Sequence, residues 1–264
     1  MRDFAFHKPS SLAEAVTLLK RAPDGKALGG GQSLIPVMKL DLADPSDLVA
    51  VAGLDELQGI RVEGKELIVG AGTTHAAVSE AAEVRRVLPA LAELAGHIGD
   101  AQVRNRGTLG GSLAHDDPSA DYPAAALALA ATIQTDRRRI AADDFFTGMF
   151  QTALAQDELI TAVRFPIPEK AAYAKFPHPA SRFALVGVFV ARGPSGVRVA
   201  VTGAGPSVFR QAALEKALSA RFAADAIAQV VVPGDGLTSD PFGSAEYRGH
   251  LIGVLARRAV AACG

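Results

Sequence analysis

Three glycines, a glutamine and a serine stand in a row at Gly29-Gly30-Gly31-Gln32-Ser33. A second bend of the same character, Thr108-Leu109-Gly110-Gly111-Ser112, lies far along the chain. A backbone without Cβ atoms can approach a ligand closely, and glycine accepts positive φ, so successive amides can converge on one anion. Serine and threonine add hydroxyl donors. What is missing narrows the chemistry. A nucleotide-hydrolase phosphate loop closes with Gly-Lys-Ser/Thr, the lysine reaching the outer phosphates, and here Gln32 stands where that lysine belongs. A Rossmann turn needs G-x-G-x-x-G between strand and helix. Gly31 is instead followed, after Gln32 and Ser33, by Leu34, Ile35 and Pro36, and that proline argues against an immediate long helix. Two such loops suit a diphosphate that stays bound, with no phosphoryl group to transfer. Each loop alone reads equally well as a tight connection.

Asp121 follows the second loop, just before Pro123. Its carboxylate could accept from the hydroxyls of a ribityl or ribose chain, or it could cap a helix. His75, His97, His115 and His250 show neither metal-ligand spacing nor H-E-x-x-H, so no metal site is expected. His115, inside the second loop, reads as a loop-stabilising residue near the ligand, and Asp116 and Asp117 read as solvated loop residues. No G-x-S-x-G elbow marks a nucleophile.

The elements that must position these loops are legible. Ser11 and Glu14 form a capping-box pattern ahead of a helix through Leu12, Ala15, Val16 and Leu19. "KALGGG", "DLVAVAGL" and "ELIVGAGTT" read as strands, with a turn at "VEGKEL". A helix is expected over about 82–97, with Val84, Leu88, Leu91 and Leu94 on one face, and another near Pro123 in "PAAALALAAT". "DELITAVRFPIP" is a strand halted by Pro166 and Pro168, which predicts a boundary after residue 168. "FALVGVFVAR" and "VRVAVTGAG" form an antiparallel hairpin around "GPSG". Helical segments near 211–219 and 223–230 precede a last helix, about 244–262, with Tyr247, Leu251, Val254 and Leu255 at core spacing. Strands and helices without steady β-α-β alternation indicate an α+β fold.

Composition removes several function classes. The 264 residues carry a net charge of −1, which gives no field for nucleic acid or anionic membrane. The cluster Arg137-Arg138-Arg139 sits beside Asp136, Asp143 and Asp144 and reads as a solvated turn. The apolar runs are too short for a membrane span, and no signal peptide is visible, so a cytoplasmic protein is expected. The only cysteine is Cys263. One thiol cannot ligate an iron–sulfur cluster.

Four stretches together, "GGGQSLIPVMKL", "VRNRGTLGGSLAHDDPSADYPA", "KFPHPASRFALVGVFVA" and "SAEYRGHLIGVLARRAV", resemble the flavin-binding medium subunit of molybdenum hydroxylases. Carbon monoxide dehydrogenase medium chains and the xanthine dehydrogenase FAD domain represent that family, and the likeness runs through the whole chain in order. It implies a two-subdomain FAD-binding fold of the PCMH type over 1–168, with subdomains about 1–53 and 54–168. A small C-terminal α+β domain with an antiparallel sheet would follow over 169–264. It implies FAD held by Gly29, Gly30, Gly31, Gln32 and Ser33, by Thr108, Leu109, Gly110, Gly111 and Ser112, and by Asp121 on the sugar-alcohol chain. Ile160 corresponds to an apolar flavin contact, His178 to a basic contact position, and Phe183 to an aromatic cover for one ring face. The family often has alanine at the first glycine and histidine at Gln32. The resemblance further implies a large molybdopterin-bearing subunit and a small subunit with [2Fe-2S] clusters, assembled as a dimer of heterotrimers. In this scheme the flavin chain is an electron outlet and no residue of it is assigned a proton-transferring catalytic role. Two other readings stand beside it: a free-standing flavin oxidase or reductase, and a binding module that has lost the flavin.

Overall fold

A computed structural model describes residues 2–263. The chain begins with β1 (Ala5–His7), α1 (Leu12–Arg21), β2 (Gly25–Leu28), α2 (Leu34–Lys39) and β3 (Asp47–Ala50). These strands form a parallel sheet in the order β1-β3-β2, so this first unit does alternate strand and helix. Ala15, Val16 and Leu19 of α1 close over Val49, Leu54 and Leu57. The Ser11 hydroxyl accepts from the Glu14 amide, as the capping pattern predicts. The reciprocal arm goes elsewhere: the Glu14 carboxylate accepts from the Ser10 amide and hydroxyl.

The middle of the chain supplies β4 (Ile60–Glu63), β5 (Glu66–Gly70), α3 (His75–Glu80), α4 (Ala82–Val87), α5 (Pro89–Gly96), α6 (Ala101–Arg106), α7 (Leu109–His115), α8 (Tyr122–Ala128), β6 (Thr132–Thr135), β7 (Arg139–Ala141), α9 (Ala142–Phe145), β8 (Phe146–Gly148), β9 (Gln151–Thr152) and β10 (Ile160–Pro166). Five of the strands make an antiparallel sheet in the order β4-β5-β10-β6-β7. The helix expected over 82–97 is two helices. Leu88 leaves the helical region at φ −150° and Pro89 opens α5, a position proline favours because its missing N–H has no intrahelical partner there. Val84, Leu88, Leu91 and Leu94 are nonetheless all buried. Every residue of α8 is buried, as its alanine-rich run suggests.

The C-terminal part holds β11 (Lys170–Pro177), β12 (Ala184–Gly193), β13 (Gly196–Thr202), β14 (Phe209–Arg210), α10 (Ala212–Ala220) and α11 (Ala245–Ala262). Its four strands pair antiparallel in sequence order. Successive side chains of a strand face opposite sides, and β12 is apolar on both. Val186, Val188 and Val190 pack against Leu251, Ile252 and Leu255 of α11. Phe189 and Ala191 join the core of the middle unit with Leu91, Leu109 and Phe165. The sheet therefore changes between Pro166 and Lys170 while the apolar core runs through. On α11, Leu251 and Leu255 are buried as expected, but Tyr247 is exposed and Val254 only half-buried. The true core stripe is Leu251, Ile252, Leu255, Ala256 and Ala259.

Candidate cofactor site

The two glycine loops meet. The first leaves β2 at the carboxyl edge of the parallel sheet. The second begins at Thr108, which bridges to Thr74 and caps α7. They line one cleft of about 420 Å³, together with Lys26, His75, Asp121, Leu154, Lys175 and Phe183 among others. Contact between the loops is direct. A Cβ on Gly30 would lie 1.9 Å from the carbonyl oxygen of Arg106, and one on Gly29 would lie 3.0 Å from the Thr108 hydroxyl. Gly31 has φ +71°, a conformation that disfavours any side chain. Glycine in the first loop is thus required by the packing of one loop on the other and by the backbone conformation at Gly31.

The loops offer different chemistry. None of the amides of Gly30, Gly31, Gln32 and Ser33 donates a hydrogen bond within the described residues. Polar backbone groups seldom stay unpaired, so this run is ready to receive an anion or solvent. The Gln32 side chain folds back and donates to the Gly30 carbonyl at 3.1 Å. In the second loop the amides are largely spent. Leu109 donates to Thr73, Gly110 to Ala71, and Gly111 to the Thr108 hydroxyl at 3.1 Å. What remains there is the bare Cα of Gly111, facing the cleft, and the hydroxyls of Thr108 and Ser112.

Asp121 lines the cleft and does not cap α8 with its side chain. Its carboxylate accepts from the Tyr173 hydroxyl at 2.5 Å and from the Lys175 ammonium at 2.9 Å. Burial pushes this carboxyl up, and Lys175 and Tyr173 oppose the shift. Asp121 and Lys175 are both about 95% buried, with exposures of 5% and 4%. The pair is a desolvated polar wall of the cleft, and the ammonium also donates to the His97 carbonyl at 3.4 Å. Reading the sequence missed Tyr173 and Lys175. Their spacing of two on one strand shows only that they share a face. His75 is also buried in this wall; burial and the nearby Arg104 lower it to about 4, so the ring is neutral at pH 7. Its Nδ1 has no partner.

Nine of the thirteen expected site residues line the cleft: Gly29, Gly30, Gly31, Gln32, Ser33, Thr108, Gly111, Ser112 and Asp121. Phe183, expected to cover a ring face, lines it too. Leu109, Gly110, Ile160 and His178 do not. Leu109 and Ile160 are core residues. A Cβ on Gly110 would sit 2.6 Å from the Ala71 Cβ, so that glycine serves the packing of α7 on the end of β5. His178 lies in a second cavity, against Phe242. Asp116, expected in solvent, is 1% exposed in left-handed backbone, and neither carboxylate oxygen has a hydrogen-bond partner. Burial, helped by neighbouring Asp117, raises it to about 7. The arginine turn is an ion-pair cluster: Arg137 pairs with Asp136 and Asp157, and Arg138 with the buried Glu158. Among the described residues no group of three or more His, Cys, Asp or Glu is placed to hold a metal, and no helix is long and apolar enough to cross a membrane.

A cleft walled by free amides, hydroxyls and one neutralised ion pair is built to hold an anionic organic cofactor. The cradle fits a dinucleotide diphosphate: the amides are unspent and Gly111 presents no side chain. Comparison with known proteins agrees. The family described as the FAD binding domain in molybdopterin dehydrogenase matches residues 2–168. The carbon monoxide dehydrogenase medium chain of Hydrogenophaga pseudoflava is 36% identical over 278 residues, covering 97% of this chain and 96% of its own. The nicotine 6-hydroxylase medium subunit of Paenarthrobacter nicotinovorans is 36% identical, covering 98% and 96%. Among solved structures, carbon monoxide dehydrogenase from Hydrogenophaga pseudoflava superposes with a TM-score of 0.88 at 35% identity, over 99% of this chain and 97% of that one. Quinoline 2-oxidoreductase from Pseudomonas putida 86 gives 0.89 at 29% identity, over 99% and 97%. The chain belongs to the FAD-binding family of molybdopterin dehydrogenases and is an oxidoreductase subunit.

Proposed function

We propose that this chain is the flavin subunit of a molybdenum hydroxylase. In this reading it takes electrons from [2Fe-2S] clusters of a small partner and passes them to an external acceptor. The observation that carries the reading is the convergence of both glycine loops on one cleft, with four consecutive amides of the first loop unspent. Those amides and the Thr108 and Ser112 hydroxyls hold the diphosphate, and Asp121, set by Lys175 and Tyr173, receives the sugar-alcohol hydroxyls. Neutral His75 and the apolar side chains of Leu154 and Phe183 keep water from the rest of the cleft. FAD bound there would supply the redox chemistry, accepting electrons singly and releasing them in pairs. Residues 1–168 form the flavin-binding unit and 169–264 a smaller unit that closes one end of the cleft through Lys175, Arg182 and Phe183.

Partners follow from the same chemistry. Clusters need several thiolates and this sequence has one cysteine, so they reside in another chain. The related proteins are named as medium chains or medium subunits, which supports an assembly of several chains. The proposed assembly adds a large molybdenum-bearing partner and a small cluster-bearing one, as a cytoplasmic dimer of heterotrimers. The test is to purify the chain with its partners and alone. Flavin absorbance, and FAD released on denaturation at one per chain, is expected. A colourless chain that takes up no FAD in either setting rules the reading out.

A further inference from the structure

Asp121 closes the segment 118–121, which the C-terminal sheet holds at every residue. The Gly203 amide donates to the Pro118 carbonyl at 2.8 Å, and the Ala184 amide to that of Ser119 at 3.3 Å. The Thr202 hydroxyl donates to the carbonyls of Pro118 and Ala120, at 2.9 and 2.6 Å. Tyr173 and Lys175 take the Asp121 carboxylate itself. The carboxylate assigned to the cofactor is thus aimed by strands outside the flavin-binding unit.

The register of those strands explains how the groups converge. Lys175 of β11 pairs with Gly187 of β12, and Gly187 pairs with Thr202 of β13. Residues directly opposite one another on neighbouring strands face the same side, so these three form one row. Tyr173, two places before Lys175, shares that face. The middle of the row carries no side chain. A Cβ on Gly187 would lie 2.3 Å from the Tyr173 hydroxyl oxygen, 2.9 Å from the Thr202 Cγ2 and 3.0 Å from the Tyr173 Cζ. The phenol therefore crosses diagonally over Gly187 to reach Asp121. Gly187 is not in left-handed backbone, and glycine weakens a strand interior, so space for the phenol is what this position supplies. Neither Gly187 nor Tyr173 lines the cleft.

We infer that Gly187 is a positioning residue for the flavin: by leaving the row open it lets the Tyr173 hydroxyl reach Asp121 and fix the carboxylate for the sugar-alcohol chain, without itself meeting the cofactor. This rests on the proposed flavin function. A carboxylate already held by Tyr173 and Lys175 has less freedom to lose when ligand hydroxyls arrive. The phenol also favours the charged, accepting form of Asp121 against the burial that opposes it. The charged and titratable groups around that carboxyl are Lys175 and Tyr173 from β11, His97 after α5 and Tyr122 on α8. Any side chain at position 187 pushes the phenol aside, and Asp121 then loses one donor while the others stay beside it.

The test titrates FAD into the stripped complete complex and measures the Tm of the flavin-free full chain. Gly187→Ala should weaken FAD about tenfold, as expected for one hydrogen bond to a charged group, and should lower Tm by crowding the phenol. Tyr173→Phe should weaken FAD to the same degree with a smaller loss of Tm. The double variant separates the two effects. With the hydroxyl gone its clash is gone, so Tm should recover toward that of Tyr173→Phe while FAD affinity stays low. In an Asp121→Asn background neither substitution should weaken FAD further. The acid limb of FAD binding should move to higher pH in Gly187→Ala and in Tyr173→Phe, because Asp121 has lost a donor that lowers it. Should Gly187→Ala fail to assemble, Tyr173→Phe and the double variant carry the same comparison. The inference is overturned by affinity that recovers together with Tm in the double variant, by Tyr173→Phe binding FAD as the wild type does, or by losses that multiply in the Asp121→Asn background. Each of these leaves the flavin assignment standing. A wild-type complex that takes up no FAD fails the functional reading instead.

Discussion

Gly110 and Gly111 are adjacent and chemically identical, yet the structure gives them opposite roles, and this makes a sharp test. A Cβ on Gly111 would approach only the Thr108 hydroxyl, at 2.9 Å, with nothing else within 4 Å. Valine there would extend its methyl groups into the cleft where the diphosphate is placed. Relative to glycine it gains a few tenths of a kcal/mol in helix propensity, by the usual ranking (~0.3), and disturbing the Thr108 cap costs up to about 1 kcal/mol. The flavin-free fold should therefore change by no more than about 1 kcal/mol, or roughly 2–4 °C in Tm for a chain of this size. Overfilling a packed contact costs about 1–3 kcal/mol, which weakens FAD by about 5- to 150-fold. Gly110→Val should reverse the pattern, because its Cβ meets the Ala71 Cβ at 2.6 Å and the Ala71 carbonyl oxygen at 2.9 Å. That variant should lose thermal stability before it loses flavin specifically. The assay is FAD per chain after gel filtration, an FAD titration of stripped protein, and the Tm of both flavin-free variants, since bound FAD itself raises Tm. Full flavin in Gly111→Val, or equal Tm losses in the two variants, would refute the placement of the second loop.

Three further outcomes follow from buried charges. Lys175→Met strands the Asp121 carboxylate and should cost about 3–5 kcal/mol in denaturant unfolding, whereas adding Asp121→Asn should restore most of it; a single variant as stable as the wild type would show that the pair does not matter. Asp116→Asn should stabilise the protein at pH 8, because the folded carboxyl titrates at about 7 and the unfolded one at 3.8. Between those values the unfolded chain ionises first, so wild-type stability falls as pH rises, and the variant's advantage should vanish below about pH 3.8. Asparagine also tolerates the left-handed backbone at this position; a Tm gap independent of pH would contradict the argument. Glu158, held by Arg138, by the Ala155 amide and by the Thr135 hydroxyl, is lowered from 4.5 to about 2. Its contribution is present above 4.5 and lost as pH falls through about 2, so Glu158→Gln should be destabilised at pH 7 and the gap should close on acidification through that window. A gap that widens in acid would sink this reading.

The candidate site was legible where the chemistry is local. Glycine runs announce bends, and two of them with hydroxyls point to a diphosphate from residue types alone. Pro89 was equally visible inside the helix expected over 82–97, and its preference for a first helical turn explains why the helix restarts there. What local pattern could not say was which way each residue faces. Asp116 reads as a solvated loop residue by type and lies buried by fold. His178 sits on a loop whose own amides set its tautomer, but only the approach of α11 and the segment around Asp240 encloses it in a second cavity.

The sequence by itself determined the first helix and its cap, the apolar strands of the C-terminal hairpin, the absence of enough thiols for a cluster, and two backbone segments able to wrap an anion, because each of these depends on covalent identity or on neighbours within a few residues. Only the tertiary structure decided that the two segments share a cleft, that Gly111 faces it while Gly110 faces Ala71, and that Lys175 and Tyr173 hold Asp121 from more than fifty positions away. The reason is that contact across such separations is set by how sheets and helices stack, and no spacing along the chain encodes the direction in which a shared face will finally look.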